Sequence, residues 1–276
     1  MMLPSPFPAK EGVLWVLEAP QTRQEVLSAK LLDGTYSKPF ILDQGGMRAL
    51  HFDLDAVQSL MQKENPYTLC LAYTRMMMAF LLFNQAPRRV LLLGLGGGSL
   101  AKFCYRRLSA AGVTVVESNP DVIALRQAFE VPQDGRRFRI VRANCANYLA
   151  GAGPAKDVIL ADACDRAGVA PELDSTHFYR NAYRRLSAAG IFVMNLCADG
   201  AFPSLHLTRM REVFGDVITL WVGQGSNMIA FAFKYAAEDV RWEELRNCAT
   251  SLKHRYGLDF PRYARLLAQE WALRSA

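Results

Sequence analysis

The sequence predicts an α/β fold: a mainly parallel sheet covered by helices, with a small antiparallel β module in front of it. Three observations predict this. Short apolar runs at 90–93, 113–116, 139–142, 158–160 and 191–195 alternate with helix-prone stretches. A glycine cluster follows the first of these runs directly, and the segments before residue 62 are short, β-prone and punctuated by turn residues. Runs apolar on both faces, each leading into a helix, mark a buried parallel sheet, whereas short segments joined by Gly and Asp turns mark hairpins.

In chain order, Val13–Glu18, Glu25–Leu32, Phe40–Leu42 and Ala49–Asp53 are expected as strands, with Asp33-Gly34 and Gln44-Gly45-Gly46 as hairpin turns. This gives a β module over 1–62 and a main domain over 63–276. A helix is expected from Leu69 to Phe83. Its Met and Leu residues lie on most faces, so it is buried, either between the two parts or at a subunit contact. Strands at Val90–Leu93, Val113–Val116, Arg139–Arg142, Val158–Leu160 and Ile191–Asn195 then alternate with helices such as Asp121–Phe129 and Phe178–Leu186. Val217–Val222 and Met228–Phe233, joined by a short polar glycine-containing link, read as a closing antiparallel pair. From Glu238 to Ala276 the apolar residues recur at helical spacing, as two final helices.

Composition narrows the function. The 276 residues are 51% hydrophobic and 21% charged, enough for a chain of this size to bury roughly 75% of its surface without disulfide support. Thirty-two Lys and Arg against twenty-six Asp and Glu give +6, scattered as Arg pairs at 88–89, 106–107, 136–137 and 184–185. That scatter is a solvated surface, not a nucleic-acid footprint. The longest apolar run, Met76–Phe83, is too short to span a membrane, and the first residues show no basic region leading into an apolar one. Six cysteines without a Cys-x-x-Cys pair suit a reducing compartment. A cytoplasmic protein is expected.

The chemistry concentrates at the glycine cluster. Val90-Leu91-Leu92-Leu93 runs into Gly94-Leu95-Gly96-Gly97-Gly98-Ser99 and then a helix. Glycines let backbone turn sharply and approach a ligand, and a helix start offers free N–H groups. About twenty residues on, the next strand ends at Glu117, where a carboxylate can accept both hydroxyl hydrogens of a ribose. Gly96, Gly97 and Gly98 are consecutive, and Ser99 stands where a dinucleotide site has its third glycine. Ser118-Asn119-Pro120-Asp121 then starts a helix well. These details favour a nucleoside of the adenosylmethionine type over a dinucleotide.

At these residues the chain resembles the spermidine synthase (polyamine aminopropyltransferase) family, up to about residue 235. The resemblance includes Leu54-Asp55-Ala56-Val57-Gln58-Ser59, where the family has Leu-Asp-Gly-x-x-Gln, and Leu71-Ala72-Tyr73-Thr74-Arg75-Met76 on its Tyr-His-Glu-Met helix. It continues through the glycine loop, Glu117, Ala143-Asn144-Cys145 for Gly-Asp-Gly, and Asp162-Ala163-Cys164-Asp165 for Asp-Ser-Ser-Asp. It implies a class I methyltransferase-like, Rossmann-like fold and a homodimer or higher oligomer. It also implies transfer of an aminopropyl group from decarboxylated S-adenosylmethionine to a small amine, releasing methylthioadenosine. Glu117 is then expected on the ribose, Asn144 on the adenine amine, and Gly94 and Gly96–Gly98 beneath the nucleoside. Gln58 and Tyr73 line the pocket, and Asp162 is the base. An ammonium has no lone pair, so a carboxylate within reach must take its proton before it can displace a sulfonium. The sulfonium supplies its own driving force, and no metal is expected.

The departures define the alternatives. Ser99 replaces the family's tail-gripping Asp, while Thr74 and Arg75 replace His and Glu, so the acceptor side loses two carboxylates and gains a guanidinium. A dication is poorly held there. Two alternatives therefore stand beside aminopropyl transfer. One is a methyltransferase using intact S-adenosylmethionine, where Ser99 replaces an acid no longer needed. The other is a nucleoside-binding homologue without catalysis. Asp165 reads equally as a second catalytic carboxylate or as a turn cap. Arg75 reads as a contact for an anionic substrate or as a partner of Glu64 or Asp55. Cys145, Cys164 and Cys197 read as small buried side chains. His177, His206 and the Met76–Met78 run read as structure, and Asn195, ending the fifth strand, as lining the pocket or, more simply, satisfying backbone.

Overall fold

The computed structural model describes residues 1–7, 11–53, 56–165, 168–169, 173–197, 202–223, 227–235 and 240–275. At the N-terminus five antiparallel strands follow one another in space as in sequence: β1 (Met2–Pro4), β2 (Val13–Val16), β3 (Phe40–Gln44), β4 (Met47–His51) and β5 (Ser59–Gln62). Gln44 pairs with Met47, so Gly45 and Gly46 form the two-residue hairpin turn, with φ of 56° and 77°. One expected strand is instead a helix, α1 (Gln24–Leu32). Its two buried side chains, Leu27 and Leu31, are four apart and so share one helical face, where an inward-facing strand would bury every second residue. Asp33-Gly34 is accordingly no hairpin: Asp33 caps α1, and Gly34 takes the left-handed conformation after it (φ 74°).

The expected helix over 69–83 is α2 (Ala72–Met77), which tightens into a 3₁₀ turn over Met78–Leu82. The main sheet then builds through β6 (Arg89–Leu93), α3 (Ser99–Arg107), β7 (Gly112–Glu117), α4 (Pro120–Ala124), β8 (Phe138–Arg142), α5 (Cys145–Ala150) and β9 (Lys156–Ala161). A short ladder, β10 (Cys164–Asp165) with β11 (Gly168–Val169), precedes α6 (Thr176–Arg185), β12 (Leu186–Cys197) and α7 (Phe202–Phe214). The chain closes with β13 (Val217–Trp221), β14 (Asn227–Phe233), α8 (Trp242–Tyr256) and α9 (Phe260–Ser275).

The seven strands lie in the order β13-β14-β12-β9-β6-β7-β8. The run from β12 to β8 is parallel, and β14 and β13 are antiparallel. From β6 the chain first winds out to β7 and β8, then returns to β9 on the other side. That reversal leaves a crevice at the carboxyl ends of β6 and β9, where open α/β sheets bind ligands.

Alternation along the strands separates two apolar layers. Val90, Leu92, Val158, Leu160, Val193 and Phe231 face one layer with α3, α8 and α9; Leu91, Leu93, Ile159, Phe192 and Met194 face the other with α5, α6 and α7. Met77 through Leu81 are fully buried in the first layer, together with Ile41, Leu50 and Met61 of the N-terminal sheet. α8 and α9 pack directly on this segment. The chain therefore covers its Met-rich helix with its own C-terminal hairpin, and of the two places expected for it, between the two parts or at a subunit contact, the structure shows the first.

Candidate active site

Strand ends place the key carboxylates. β6 lies between β7 and β9, so Glu117 at the end of β7 and Asp162 just past β9 flank the glycine loop. Backbone stitches the three together: Gly94 N–H donates to the Val116 carbonyl at 2.9 Å, and Asp162 N–H donates to the Leu93 carbonyl at 2.8 Å. Glu117 is held by both oxygens. Oε2 accepts from Leu95 N–H at 2.9 Å and Oε1 from Asn119 N–H at 2.8 Å. The sequence folds this way because Asn119 caps α4 through its side chain, accepting from Asp121 N–H at 2.9 Å, with Pro120 next in line. The carboxylate is thus fixed before any ligand arrives, with lone pairs left on both oxygens.

The glycines serve packing as much as ligand approach. A Cβ on Gly94 would sit 2.3 Å from the Asp162 carbonyl oxygen, and one on Gly98 2.4 Å from a Val131 methyl. A Cβ on Gly97 would meet Ser59 Oγ at 2.7 Å and the Phe129 ring at 2.9 Å. At Gly96 (φ 51°) the nearest atom is 3.8 Å away, so the open side of the loop lies at this residue. Ser59, leading β5, also approaches Ser99 Oγ at 3.4 Å, so the N-terminal sheet docks on the first turn of α3; Gln58, half-buried just before it, donates its backbone N–H to the Leu50 carbonyl at 2.9 Å. One turn along, fully buried Lys102 donates to the Phe129 carbonyl at 2.7 Å and approaches Met61 Sδ at 3.0 Å. Burial pulls its ammonium down to about 8.

Asp162 is gripped from two sides. Tyr73 Oη donates to Oδ2 at 3.2 Å, and Asn195 Nδ2 donates to Oδ1 at 2.9 Å. Asn195 in turn accepts from Asn227 Nδ2 at 2.9 Å. Burial raises the Asp162 carboxyl above the ordinary carboxylate range, and the bonds from Asn195 and Tyr73 oppose that rise. Such a carboxylate orients an amine and accepts its proton more readily than an exposed one.

Arg75 and Asn144 have backbone partners of their own, and the Asp165 side chain is not among those described. Arg75 donates to the Leu69 and Cys70 carbonyls at 2.7 and 2.6 Å. It lies two residues from Tyr73, about 200° around the helix. It braces the entry to α2, and no ion pair with Glu64 forms; Asp55 lies outside the described residues. Asn144 caps α5, its Oδ1 accepting from Ala146 and Asn147 N–H at 3.0 and 3.1 Å. What it can offer a base is therefore its amide N–H. Asp165 opens the short ladder to β11, and its side chain lies outside the described residues, as do those of Cys164 and Cys197. His206 is buried against Tyr179 Oη at 2.6 Å, as structure. Asn195, expected either to line the pocket or to satisfy backbone, donates to Asp162 instead of to backbone, and Asn227 was not anticipated at all. The available signal was parity: Asn195 shares a face with Ile191 and Val193, and Asn227 with Ile229 and Phe231, so both point into the layer that carries Asp162.

A glycine loop, a strand-end acid and a half-buried carboxylate at the switch point of a mainly parallel sheet define a class I methyltransferase-like fold. A probable spermidine synthase from Corynebacterium glutamicum shares it, with a TM-score of 0.64 at 19% identity over 79% of this chain and 83% of that one. So does human methyltransferase-like protein 13 in complex with SAH, at 0.62 and 22% over 68% and 93%. More specifically, the spermine/spermidine synthase domain matches residues 70–213. The polyamine aminopropyltransferase of Chromobacterium violaceum is 36% identical over 231 residues, covering 83% of this chain and 88% of that protein. The one from Neisseria meningitidis is 36% identical over 225 residues, covering 80% and 86%. The chain belongs to the spermine/spermidine synthase family. Among the described residues no helix is long and apolar enough to cross a membrane, and no cluster of His, Cys, Asp and Glu is placed to hold a metal ion.

Proposed function

We propose that the chain transfers an aminopropyl group from decarboxylated S-adenosylmethionine to a small amine, releasing methylthioadenosine. The observation that carries this reading is the Asp162 carboxylate, held by Tyr73 and Asn195 at the switch point opposite Glu117. The acceptor arrives as an ammonium and gives one proton to Asp162. Its freed lone pair attacks the aminopropyl carbon bonded to sulfur. The C–S bond breaks toward sulfur, the sulfonium leaves as a neutral thioether, and the product amine keeps its positive charge. Glu117, already fixed by two backbone N–H groups, takes the ribose hydroxyls. Asn144 donates to an adenine ring nitrogen, since its oxygen is spent on the helix cap. Gly96 gives the nucleoside its closest approach to the backbone. The reading includes a homodimer, which the Met-rich helix does not supply, and a cytoplasmic setting.

One observation favours a second reading. At the donor-tail corner Ser99 approaches the Ser59 hydroxyl, and the buried Lys102 ammonium lies one turn beyond. A neutral-to-positive corner suits the carboxylate of intact S-adenosylmethionine, and hence methyl transfer. Thermal unfolding separates the two. Ligand at about a hundred times its dissociation constant adds about 2.7 kcal/mol, roughly 2–4 °C for a chain this size. A shift with methylthioadenosine and the decarboxylated donor supports aminopropyl transfer. A shift confined to S-adenosylmethionine and S-adenosylhomocysteine supports methyl transfer, and no shift with any of them removes the nucleoside site.

A further inference from the structure

We propose that Asn227 is a positioning residue for Asp162: by donating to Asn195 Oδ1 it fixes which end of the Asn195 amide faces the carboxylate. An amide is nearly symmetric in shape but opposite in sign at its two ends, so on its own Asn195 could present either oxygen or nitrogen to Asp162. The Asn227 Nδ2–H bond to Asn195 Oδ1, at 2.9 Å, removes that choice, and the NH₂ must then point at Asp162 Oδ1, also at 2.9 Å.

The register of the sheet explains why the three line up. Met194 pairs with Ala161, which places Asn195 beside Asp162 across the parallel β9–β12 ladder. Asn195 pairs with Ile229 across the antiparallel β12–β14 ladder, so Asn227, two residues earlier, is its diagonal neighbour on the same face. Asn195 is buried, and a buried amide bonded at both ends is held in a single orientation. Tyr73 closes the arrangement from α2, bonding the other carboxylate oxygen. Both Asp162 oxygens are therefore set before substrate binds, each by one donor. Tyr73 is the titratable group in hydrogen-bond contact with Asp162 among the described residues; Asn195 is neutral, and no charged side chain contributes to the rise in its carboxyl.

The inference rests on Asp162 being the base, but its test does not. Asn227→Asp keeps the shape and inverts the sign. The carboxylate so introduced cannot donate, so the Asn195 amide turns to donate to it and presents oxygen to Asp162, acceptor against acceptor. Asn227→Ala merely releases the amide. With ¹³C-labelled aspartate, and Asp162→Asn to assign its carboxyl resonance, the midpoint of the Asp162 titration is read in unliganded protein. The expected result is a rise of about one pH unit, tenfold in proton affinity, for Asn227→Asp, and a smaller rise for Asn227→Ala. Turnover with decarboxylated donor and putrescine should fall in the same order, while the thermal shift with methylthioadenosine stays at its wild-type size. An unmoved Asp162 titration in Asn227→Ala overturns the proposal, whether or not Asn227→Asp folds. If the titration moves but the wild-type protein turns over neither putrescine nor any other amine, the positioning role stands and the transfer reading falls.

Discussion

Asp162 and Glu117 carry the same functional group in opposite surroundings, which suit them to opposite jobs. Glu117 accepts two backbone N–H bonds and is a fixed acceptor; Asp162 is half-buried with a raised carboxyl and is suited to take a proton. Replacing Asp162 with Asn keeps its size and removes its basicity, so kcat should fall by roughly 10²–10⁴-fold while methylthioadenosine binding persists, as parallel kinetics and thermal shifts would show. Glu117→Gln turns one acceptor into a donor facing either Leu95 or Asn119 N–H. Loss of a charged hydrogen bond costs about 1.5–3 kcal/mol, so nucleoside affinity measured by calorimetry should drop by roughly 10–100-fold. Both acids were legible because a residue that ends an apolar strand run lies at a carboxyl edge whatever the strand order. Asn227 was not, because its tie to Asn195 depends on a register that only the folded sheet defines.

At the scale of elements, the glycine loop is a joint between the two sheets. Gly97 has no room for a Cβ because Ser59 and Phe129 occupy the space, and Lys102 fastens the same helix to Met61 and Phe129. Gly97→Ala should therefore lower stability by about 1–3 kcal/mol in denaturant unfolding, even without ligand. Equal stability of the variant would mean that the loop is shaped for ligand alone. The parallel strands and the closing β13–β14 pair were readable from continuous apolar runs. The helix α1 was not, since a nine-residue segment with only two buried side chains carries little periodicity. Arg75 shows a related limit: its sequence neighbours include Tyr73 of the site, yet helical geometry turns it onto the Leu69 and Cys70 carbonyls.

For the whole molecule, the C-terminal hairpin adds to the core and two buried lysines make stability depend on pH. α8 and α9 cover the Met-rich segment that the sequence marked as buried without saying by what. Burial depresses both Lys102 and Lys156 to about 8, with neighbouring Arg185, Arg139 and Arg89 adding to the effect at Lys156. Above pH 8 the native state holds fewer protons on these groups than the unfolded chain, whose lysines titrate near 10.5, so stability rises with pH. Buried Cys104 acts in the opposite sense: pushed up to about 12, it keeps its proton after the unfolded thiol has lost its own near 9. Stability should thus climb from pH 7 to pH 9, where the two lysines outweigh the one thiol, and Lys102→Met should flatten the climb; unfolding midpoints across that range decide it. The most direct test of function is methylthioadenosine release from decarboxylated S-adenosylmethionine and an amine, followed chromatographically in wild type and Asp162→Asn. Release by the wild type, and its loss in a variant that still binds methylthioadenosine, is the predicted result. Release at the wild-type rate by Asp162→Asn would contradict Asp162 as the base, and no release by the wild type with any amine would contradict aminopropyl transfer itself.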